Sequence, residues 1–504
     1  MHTINIRKHH KWFGLIMSFF ILFFCLSGLL LNHRQLINGC NVSRKLLPAR
    51  YEFRNWNGGL LRGTHRLADG QIVVYGANGM FMADSTASTF ADFNDGLPYG
   101  TDYRQIRGVA TTCWTTDGAD KRAALFAVSP FALYRYGLHG RWNKIDMKLD
   151  GDERLTDITA LNDTLVVLGR SYMYVSLPPY STYKRIQLET PSSYDGSVTA
   201  FRTVWLLHSG ELLGDAGVAI VDAVAIVLII ICLSGLVFFI AKKVRPSKDR
   251  IRLKASILRT SLSWHDRIGR ATIVLTLLIC ATGWCLRPPV MIPLALTHIP
   301  AIPGTSLYSD NAWHDKLRMI RHDSIAGDWM VSTSEGFYSI GNSIASPATP
   351  QRITQAPPVS VMGLNVWQQN EKGRWLCGSF SGMYEWDRNK GVSTDYFTHL
   401  PAPDQPGPPF GKTAVSGYSN DFAATTAKNV EHAAVIAEYY DGTSAIKQPQ
   451  WMNDLPMSLW NVALEIHSGR MFIGDIATYV FVFFTGLASV WCLWTGYKIR
   501  KKRH

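Results

Sequence analysis

Four histidines occupy matched positions in the two halves of this 504-residue chain. His10 and His265 lie 255 residues apart, each near the start of an apolar run, and His208 and His467 each begin a His-Ser-Gly tripeptide. Imidazole is a common metal ligand, and two imidazoles on opposite sides of one iron give a six-coordinate b-type haem, which is suited to electron transfer. These histidines therefore predict haem b, in one or two copies, with all four as ligands of the haem iron.

Glycines repeat at the same offset. Gly14 and Gly28 in the first half correspond to Gly269 and Gly283 in the second. The two glycines of each half are 14 residues apart, close to four helical turns, so they share one face of a helix. A face of small residues lets a macrocycle or a neighbouring helix approach closely, and both interpretations stay open.

Two further polar residues lie beside or inside the apolar runs. The position matched to His33 is Pro288, so His33 has no twin; it either binds or lines the outer haem site or is an interfacial residue. Asp222 lies within an apolar run, where a carboxylate costs about 2.5–3.5 kcal/mol on insertion scales. We expect Asp222 to serve a proton path, to pair with Arg270, or to be neutral and hydrogen-bonded.

The histidines and glycines also have simpler interpretations. His10 stands between His9 and Lys11 at the edge of an apolar run, where a polar residue can simply be interfacial. Glycines at helical spacing in membrane proteins more often serve helix packing than cofactor binding. The matching of two histidine pairs across the halves favours haem, and the 255-residue offset selects His10 rather than His9.

Four apolar runs must position these residues; they cover 12–31, 216–241, 271–286 and 471–494. The first has no charged residue over its 20 positions, enough for one helix to cross a hydrocarbon core of roughly 30 Å. The third is short and becomes long enough only if its helix begins near Ile268, with neighbouring arginines extending to the interface. We expect four transmembrane helices.

Positive charge is concentrated beside these runs. Residues 1–13 contain 3 Lys/Arg, residues 241–271 contain 10 and residues 498–504 contain 5, against only Asp249 and Asp266. Lysine and arginine accumulate on the cytoplasmic side of membrane helices. The pattern predicts a multi-pass protein of the bacterial inner membrane with both termini cytoplasmic, and it accounts for the net charge of +13 without nucleic acid binding.

The two long segments between the runs are β-rich. Residues 71–84 and 328–341 each read as an apolar strand, a turn and an aromatic strand, and Gly79 and Gly336 match at an offset of 257. Short repeated units of this kind are typical of β-propellers, but two separate antiparallel domains explain them equally well.

The predicted fold class is a four-transmembrane-helix bundle from a tandem duplication, with two β-rich periplasmic domains that are either propeller-like or ordinary antiparallel domains. In chain order we predict a cytoplasmic N-terminus (1–11), transmembrane helix 1 (12–31), periplasmic domain 1 (32–207), an outer His-Ser-Gly segment with helix 2 (208–241), a basic cytoplasmic loop (242–266), helix 3 (267–290), periplasmic domain 2 (291–466), a second outer segment with helix 4 (467–496) and a cytoplasmic tail (497–504).

Several classes of site are missing from the sequence. It contains no GxxxxGK[ST], no GxGxxG between a strand and a helix, no HExxH and no CxxCH. Nucleotide binding, a zinc-protease site and covalently attached haem are therefore not indicated. If the chain moves electrons, they come from an external donor, a quinol or a reductase.

The order of these motifs resembles the PepSY-associated transmembrane helix family. The resemblance rests on His10-x-x-x-Gly14 leading to Leu26-Ser27-Gly28, on the matched residues of the second half, and on the His-Ser-Gly before each returning helix. It covers the four helices and their flanks. It implies an inner-membrane siderophore reductase with two b-type haems among four helices, bound by the same four histidines. Neither long segment shows a PepSY domain, which leaves the substrate open.

We therefore predict a b-type haem protein that passes electrons across the membrane to a periplasmic acceptor, ferric iron or a ferric siderophore. Its expected partners are membrane lipid, the external electron donor and that acceptor. The alternative is a non-enzymatic membrane-anchored sensor or assembly protein, whose β-domains bind a protein or a cell-envelope ligand and whose histidines are structural.

Overall fold

The computed structural model describes residues 3–115, 121–151, 153–192, 194–360, 362–407, 410–423 and 434–499. The chain divides into two compact units. The helical unit comprises Met1–Ile37, Asp195–Ser309 and Leu459–His504, and the β unit comprises Asn38–Tyr194 and Asp310–Ser458. Parts of the two predicted cytoplasmic ends, residues 1–2 and 500–504, lie outside the described residues.

Long apolar sequences form the main helices of the helical unit. The helices are α1 (Thr3–Asn32), α2 (Arg34–Ile37), α3 (Ala200–Ser209), α4 (Gly214–Lys243), α5 (Ile251–Ala271), α6 (Ile273–Cys285), α7 (Met291–Leu296), α8 (Leu459–His467) and α9 (Asp475–Lys498). The short helix α3 begins at a cap, where the Thr199 hydroxyl accepts from the backbone N–H of Arg202. It ends at Gly210, whose φ of 88° permits the turn towards α4.

Three helices of the described chain are long and apolar enough to cross a membrane. They are Ile6–Asn32, Glu211–Lys243 and Ala477–Lys498. Their buried residues meet in one core, where Met17 and Cys25 of α1 pack against Val224 and Cys232 of α4. At these three places, where the apolar runs predict crossings, the chain therefore has helices of sufficient length and hydropathy to span a membrane.

The third predicted crossing differs from the single helix expected over 267–290. Helix α5 starts inside the predicted loop 242–266, and α6 follows after Thr272 at an angle of 73°. The Thr272 hydroxyl donates to the Ile268 carbonyl at 2.8 Å, a type of bond that bends helices. The prediction of one continuous helix is wrong because hydropathy records how apolar a span is and not a bend inside it. A fourth crossing exists only if α5 and α6 together form one span.

The β unit is built mainly from four-stranded antiparallel sheets, with strands numbered in chain order. The first small sheet pairs β1 (Asn41–Val42) with β26 (Met457–Ser458). Three four-stranded sheets precede α3: β2 (Gly63–Arg66), β3 (Ile72–Gly76), β4 (Gly79–Ala83) and β5 (Phe90–Asp92) form one, β6 (Gly108–Thr115), β7 (Lys121–Ser129), β8 (Ala132–Tyr136) and β9 (Trp142–Ile145) form the next, and β10 (Leu155–Leu161), β11 (Thr164–Gly169), β12 (Met173–Ser176) and β13 (Lys184–Ile186) form the third. Two more four-stranded sheets follow α7. One contains β16 (Leu317–Asp323), β17 (Asp328–Thr333), β18 (Gly336–Ser339) and β19 (Gln351–Ile353), and the other contains β20 (Leu364–Gln369), β21 (Trp375–Ser379), β22 (Gly382–Asp387) and β23 (Val392–Asp395). Two further pairs are β24 (Val415–Ser419) with β25 (Val435–Glu438), and β14 (Ser197–Thr199) with β15 (His298–Pro300) in the helical unit.

Glycine begins the third strand in three of these sheets. Gly79, Gly336 and Gly382 have φ values of 108°, 133° and 127°. A side chain is strained at such angles, so glycine allows the tight turn from the second strand. These turns include the two, at Gly79 and Gly336, that the repeated strand–turn–strand pattern predicts.

The first strands of six sheets adjoin one another in a closed order, β2, β6, β10, β16, β20, β24 and back to β2. Apolar side chains fill the spaces between successive sheets. In one of them Val166 and Leu168 of β11 share a buried cluster with Trp329 and Val331 of β17. The sheets are therefore held together by apolar cores between their faces.

The expectation of two separate β-domains, within 32–207 and 291–466, is corrected by this packing. Sheets from both segments belong to one compact unit. Asp157 of β10 binds Arg321 of β16 at 2.5 Å and accepts from the backbone N–H of Ile320 at 2.9 Å. The Asp157 side chain is only 1% exposed, so this bond joins the two segments inside the core.

Candidate functional site

The structure brings the four matched histidines together in two pairs. The rings of His10 on α1 and His265 on α5 have centroids 5.8 Å apart, and those of His208 on α3 and His467 on α8 have centroids 5.9 Å apart. Two imidazoles that bind one metal from opposite sides, at about 2 Å each, place their ring centroids roughly 6 Å apart. Both pairs have the separation that a shared metal ion requires.

Each ring of the His10–His265 pair lies against a glycine on another helix. A Cβ at Gly496 of α9 would be 2.8 Å from Cε1 of His10, and a Cβ at Gly235 of α4 would be 3.1 Å from Cε1 of His265. A Cβ at Gly496 would displace the His10 ring and a Cβ at Gly235 would crowd the His265 ring, so each imidazole is seated on a glycine.

The His208–His467 pair is seated in the same way. A Cβ at Gly283 of α6 would lie 2.8 Å from Cε1 of His208, and a Cβ at Gly28 of α1 would lie 3.1 Å from Cε1 of His467. Two of the four seats, Gly28 and Gly283, are among the glycines that the repeat singles out.

The Nδ1 atom of each of the four imidazole rings bonds a backbone carbonyl. The residue that bears this carbonyl lies four positions before the glycine on which the ring is seated. The distances are 3.1 Å for His10 to the Cys492 carbonyl, 2.9 Å for His265 to that of Ile231 and 2.9 Å for His467 to that of Phe24, and His208 bonds that of Ile279. A carbonyl oxygen only accepts, so Nδ1 carries the proton in each neutral ring. The lone pair is then on Nε2, the nitrogen available to a metal.

Hydroxyl groups distinguish the two pairs. Ser27 Oγ lies 3.2 Å from Nδ1 of His467, and Thr282 Oγ1 lies 3.2 Å from Nδ1 of His208. All four equivalent hydroxyls donate to backbone carbonyls, but those of Ser234 and Thr495 have no histidine contact among the described residues. In the other pair the Cys492 thiol lies 3.7 Å from Nδ1 of His10. The His208–His467 pair therefore has an additional polar contact at each Nδ1.

The donor set fits haem better than a bare metal ion. Among the described residues, no group of three or more His, Cys, Asp or Glu side chains is placed to hold a metal. Each site thus offers two nitrogens, and a porphyrin supplies the four equatorial ligands that a two-histidine site lacks. The glycine seats leave the imidazole rings the room that a Cβ would fill, and the Nδ1–H bonds hold each ring with Nε2 free to bind iron.

Gly14 and Gly269 do not seat a histidine. A Cβ at Gly14 would lie 3.5 Å from Sγ of Cys492, and a Cβ at Gly269 would lie 3.9 Å from Cδ1 of Ile231. Both are ordinary van der Waals contacts between helices. These two glycines therefore serve helix packing, one of the two interpretations that their spacing leaves open.

Comparison of the two halves at an offset of 255 misses the remaining seats, Gly235 and Gly496, because they are 261 residues apart. A local signal was present. The tetrapeptide Cys-Leu-Ser-Gly occurs at 25–28 and again at 232–235, and Cys-Ala-Thr-Gly occurs at 280–283. At the fourth seat the cysteine is one residue further from the glycine, because Cys492 lies four positions before Gly496 and the other cysteines lie three positions before theirs. A Ser/Thr-Gly dipeptide shortly after a cysteine therefore marks all four seats.

His33 and Asp222 bind each other. His33 Nε2 lies 2.7 Å from Asp222 Oδ2, and Asn32 Nδ2 donates to Asp222 Oδ1 at 2.9 Å and to the Ser209 carbonyl at 3.3 Å. The expectation that Asp222 pairs with Arg270 is wrong, because Arg270 binds Asp266 at 2.9 Å, one turn earlier on α5. The group joins the ends of α1 and α3 to α4.

The two histidine pairs lie at different levels along α1. His10 belongs to one pair, and Gly28, the seat of His467, lies 18 residues further along the same helix. That corresponds to about 27 Å at 1.5 Å per residue. The Phe24 ring lies between these levels, with its centroid 6.1 Å from that of His467.

The chain is similar to two solved structures of the extracellular domain of BT4673 from B. thetaiotaomicron. One structure describes the protein as a one component system and has a TM-score of 0.35 at 10% sequence identity. The other describes it as a hybrid two component system and has a TM-score of 0.34 at 9% identity. In each case the similarity covers 76% of this chain and 32% of the BT4673 chain, so this chain spans about a third of the length of the BT4673 domain.

No curated protein sequence matches the chain. The sequence profile of the family described as the PepSY-associated TM region matches residues 145–503, which is more than half of the chain and includes three of the four paired histidines. The match extends through α3 to α9, the helices that carry those histidines and three of their glycine seats. The chain therefore belongs to the PepSY-associated TM family.

Proposed function

We propose that this chain is a membrane haem protein that carries electrons between two bis-histidine haem b sites. The observation that carries the proposal is the fourfold repetition of one arrangement. In each case an imidazole lies on a glycine and donates Nδ1–H to the carbonyl of the residue four positions before that glycine. It also faces a second imidazole whose ring centroid is about 6 Å away. Helix packing alone does not require these features to occur together four times.

The residues of each site would hold haem and fix its ligands. His10 with His265 would hold one haem iron through Nε2, and His208 with His467 would hold the other. Haem bound in this way supplies a centre that gains and loses one electron without an open position for oxygen. The carbonyl bonds at Nδ1 hold each ring in one orientation and keep Nε2 unprotonated, and the glycine seats let the rings approach the helices that bear those carbonyls.

A tandem duplication of two membrane helices explains why the sites are equivalent. The paired histidines and the seats are related by offsets of 255, 259 and 261 residues, which supports a common ancestor for the two halves. In this proposal α5 and α6 together make the fourth crossing, and the four crossings form a bundle with haem at two levels.

The charge distribution supports an orientation. We place the basic stretches at 1–13, 241–271 and 498–504 in the cytoplasm of a bacterium, and the β unit in the periplasm. The His10–His265 site then lies near the cytoplasm and the His208–His467 site near the periplasm. The closed order of six first strands supports a single propeller for the periplasmic unit.

The proposed acceptor is ferric iron in a chelate such as a siderophore. One electron from the His208–His467 site would convert Fe(III) to Fe(II). Hard oxygen chelators hold Fe(II) less tightly, so reduction releases the metal. The proposed donor is membrane quinol or a reductase on the opposite side.

The test begins with the absorption spectrum of the full-length protein in detergent, before and after dithionite. We expect a Soret band and, on reduction, an α-band of b-type haem. Anaerobic addition of a ferric siderophore should then reoxidise the haem and produce Fe(II), detected with a ferrous chelator, while the gallium siderophore should leave the haem reduced. A protein without a Soret band would sink the haem proposal. Haem that stays reduced in the presence of ferric chelates would remove only the acceptor.

A further inference from the structure

Two buried indole N–H groups of the helical unit have no hydrogen-bond partner among the described residues. They belong to Trp284 on α6 and Trp460 on α8. A buried donor without an acceptor costs about 1–3 kcal/mol, so native proteins usually supply one. Trp284 directly follows Gly283, the seat of His208, and Trp460 lies on α8, the helix that carries His467.

Trp284 is fixed next to the His208 seat. It follows Gly283 directly, and its indole packs on α9, where a Cβ at Gly486 would lie 2.5 Å from Trp284 Cδ1. Its ring contacts that of Phe483 with centroids 5.6 Å apart. The glycine and the phenylalanine hold the indole in place, so its N–H cannot turn away to find an acceptor elsewhere.

Trp460 shares a helix face with His467. The two residues are seven positions apart on α8, which is close to two helical turns. The guanidinium of Arg34 lies over the Trp460 ring, 3.8 Å from its centroid, and holds it from the other side. The second N–H donor is thus also fixed near the histidine pair.

A guanidinium belongs to the same region. Arg287 follows the end of α6, lies within electrostatic range of His467, Glu465 and Arg470, and makes no side-chain hydrogen bond or ion pair with any other described residue. The Glu465 carboxylate is already bound by Arg470, at 2.8 and 2.5 Å. The positive charge of Arg287 therefore has no bonded counter-ion, although a partly buried guanidinium normally has one.

We propose that Arg287, together with the indole N–H groups of Trp284 and Trp460, binds the propionate carboxylates of a haem held by His208 and His467. The inference rests on the proposed function. One cation and two fixed neutral donors match the charge and the acceptor capacity of carboxylates, and a charge-assisted bond is stronger than a neutral one. The arrangement would also set the rotation of the haem about the line joining its two histidines.

The same carboxylate chemistry occurs in an anionic ferric chelate, so the test must separate the two sources. The full-length protein, carrying His10→Ala so that one site remains, is freed of haem and titrated with protohaem and with its dimethyl ester, in which both propionates are neutral. The measured quantity is the ratio of the two dissociation constants, taken from the Soret absorbance. It does not depend on reductase activity.

We expect the parent protein to bind protohaem about 10- to 100-fold more tightly than the ester. Arg287→Gln should bring the ratio close to one, and Trp284→Phe and Trp460→Phe should each lower it severalfold. The matched controls are Arg259→Gln and Trp205→Phe, which remove an exposed arginine of α5 and an exposed tryptophan of α3 and should leave the ratio unchanged.

An Arg287→Gln protein that keeps the parent ratio would overturn the inference, and if this variant does not fold, the two tryptophan variants decide by the same ratio. Equal binding of the two haems by the parent, with weaker binding of an anionic ferric chelate in Arg287→Gln, would assign the site to the substrate and also overturn it. A chain that binds neither haem refutes the proposed function itself, which is a distinguishable result.

Discussion

His467 rests on Gly28, so a residue near the end of the chain is seated by the first helix. The other three seats follow the same rule: each histidine lies on a glycine from the opposite half of the chain. Neither half alone can therefore build either site. If the halves arose by duplication, they form the sites only by packing against each other.

The seats predict a selective effect of one methyl group. Gly283→Ala and Gly28→Ala should weaken haem binding at the His208–His467 site roughly 10- to 100-fold, because the new Cβ displaces the ring from its carbonyl. Gly496→Ala and Gly235→Ala should do the same at the other site. Haem stoichiometry and reduced-minus-oxidised spectra measure the effect.

The chain supplies its own controls for this experiment. Gly14→Ala and Gly269→Ala add the same methyl group on α1 and α5, where it would meet its nearest neighbour at 3.5 and 3.9 Å. Both variants should retain both centres. Loss of haem in these variants as well would mean that the effect comes from general damage to helix packing.

The additional hydroxyl contacts predict different tuning of the two sites. Ser27→Ala and Thr282→Val remove a polar partner of Nδ1, which lowers the electron density on the ligand and should raise the midpoint potential of the His208–His467 site by some tens of millivolts. Ser234→Ala and Thr495→Val should leave both potentials in place, because these hydroxyls bond only the backbone. A potentiometric titration that shows equal shifts for all four variants would contradict this distinction.

The bond between His33 and Asp222 predicts a structural role for His33. His33→Ala should keep both haem centres and lower the stability of the protein in detergent by about 1–2 kcal/mol, a value reduced from that of a buried pair because the His33 side chain is 47% exposed. Asp222→Ala should cost a similar amount, and the double variant should cost less than the sum of the two. Thermal unfolding and the haem spectrum test both statements; loss of a centre in His33→Ala would identify it as a ligand.

The β unit predicts a defined response to acid. Arg388 binds Asp323 at 2.8 Å and Asp328 at 2.5 Å. Burial raises the pKa of each carboxyl group, but the hydrogen bonds from Arg388 and from neighbouring backbone and side-chain donors together lower it by more, so both pKa values lie below the ordinary value. Carboxylates of this kind stabilise the fold above their unfolded pKa, about 4, and lose that contribution as the pH falls through the folded pKa.

Arg388→Met should therefore cost about 3–5 kcal/mol at neutral pH, since two poorly exposed carboxylates lose their partner. Without the bonds from Arg388 the pKa of both groups rises, so acid unfolding should begin at a higher pH. Arg141→Met breaks an exposed ion pair with Asp95 and should lower the free energy of unfolding by less than about 1 kcal/mol. It should leave unchanged the pH at which acid unfolding begins. Circular dichroism of β-sheet unfolding across pH provides the comparison.

Local and repeated patterns in the sequence predict a large part of this structure. The 255-residue offset identifies His10 with His265 and Gly28 with Gly283, because the number of residues between histidine and seat is the same in both halves. The strand–turn–strand pattern predicts hairpins around Gly79 and Gly336, because a two-residue period and a glycine turn are local properties.

Long-range and subtle features are not predicted from these patterns. The offset changes to 261 at Gly235 and Gly496, so a comparison of the halves at 255 cannot align them. The break at Thr272 lies inside an apolar run, where hydropathy carries no signal of a bend. The contact of β10 with β16 joins strands separated by several helices of the other unit, and no local signal records such a pairing.

The central claim is that the four histidines form two separate haem centres. It is tested most directly by potentiometric titration of the full-length protein and its four single His→Ala variants, followed by reduced-minus-oxidised spectra. We predict two b-type centres in the wild type, loss of one centre in both His10→Ala and His265→Ala, and loss of the other in both His208→Ala and His467→Ala. Loss of the same centre in all four variants, or an unchanged spectrum in any of them, would contradict the account.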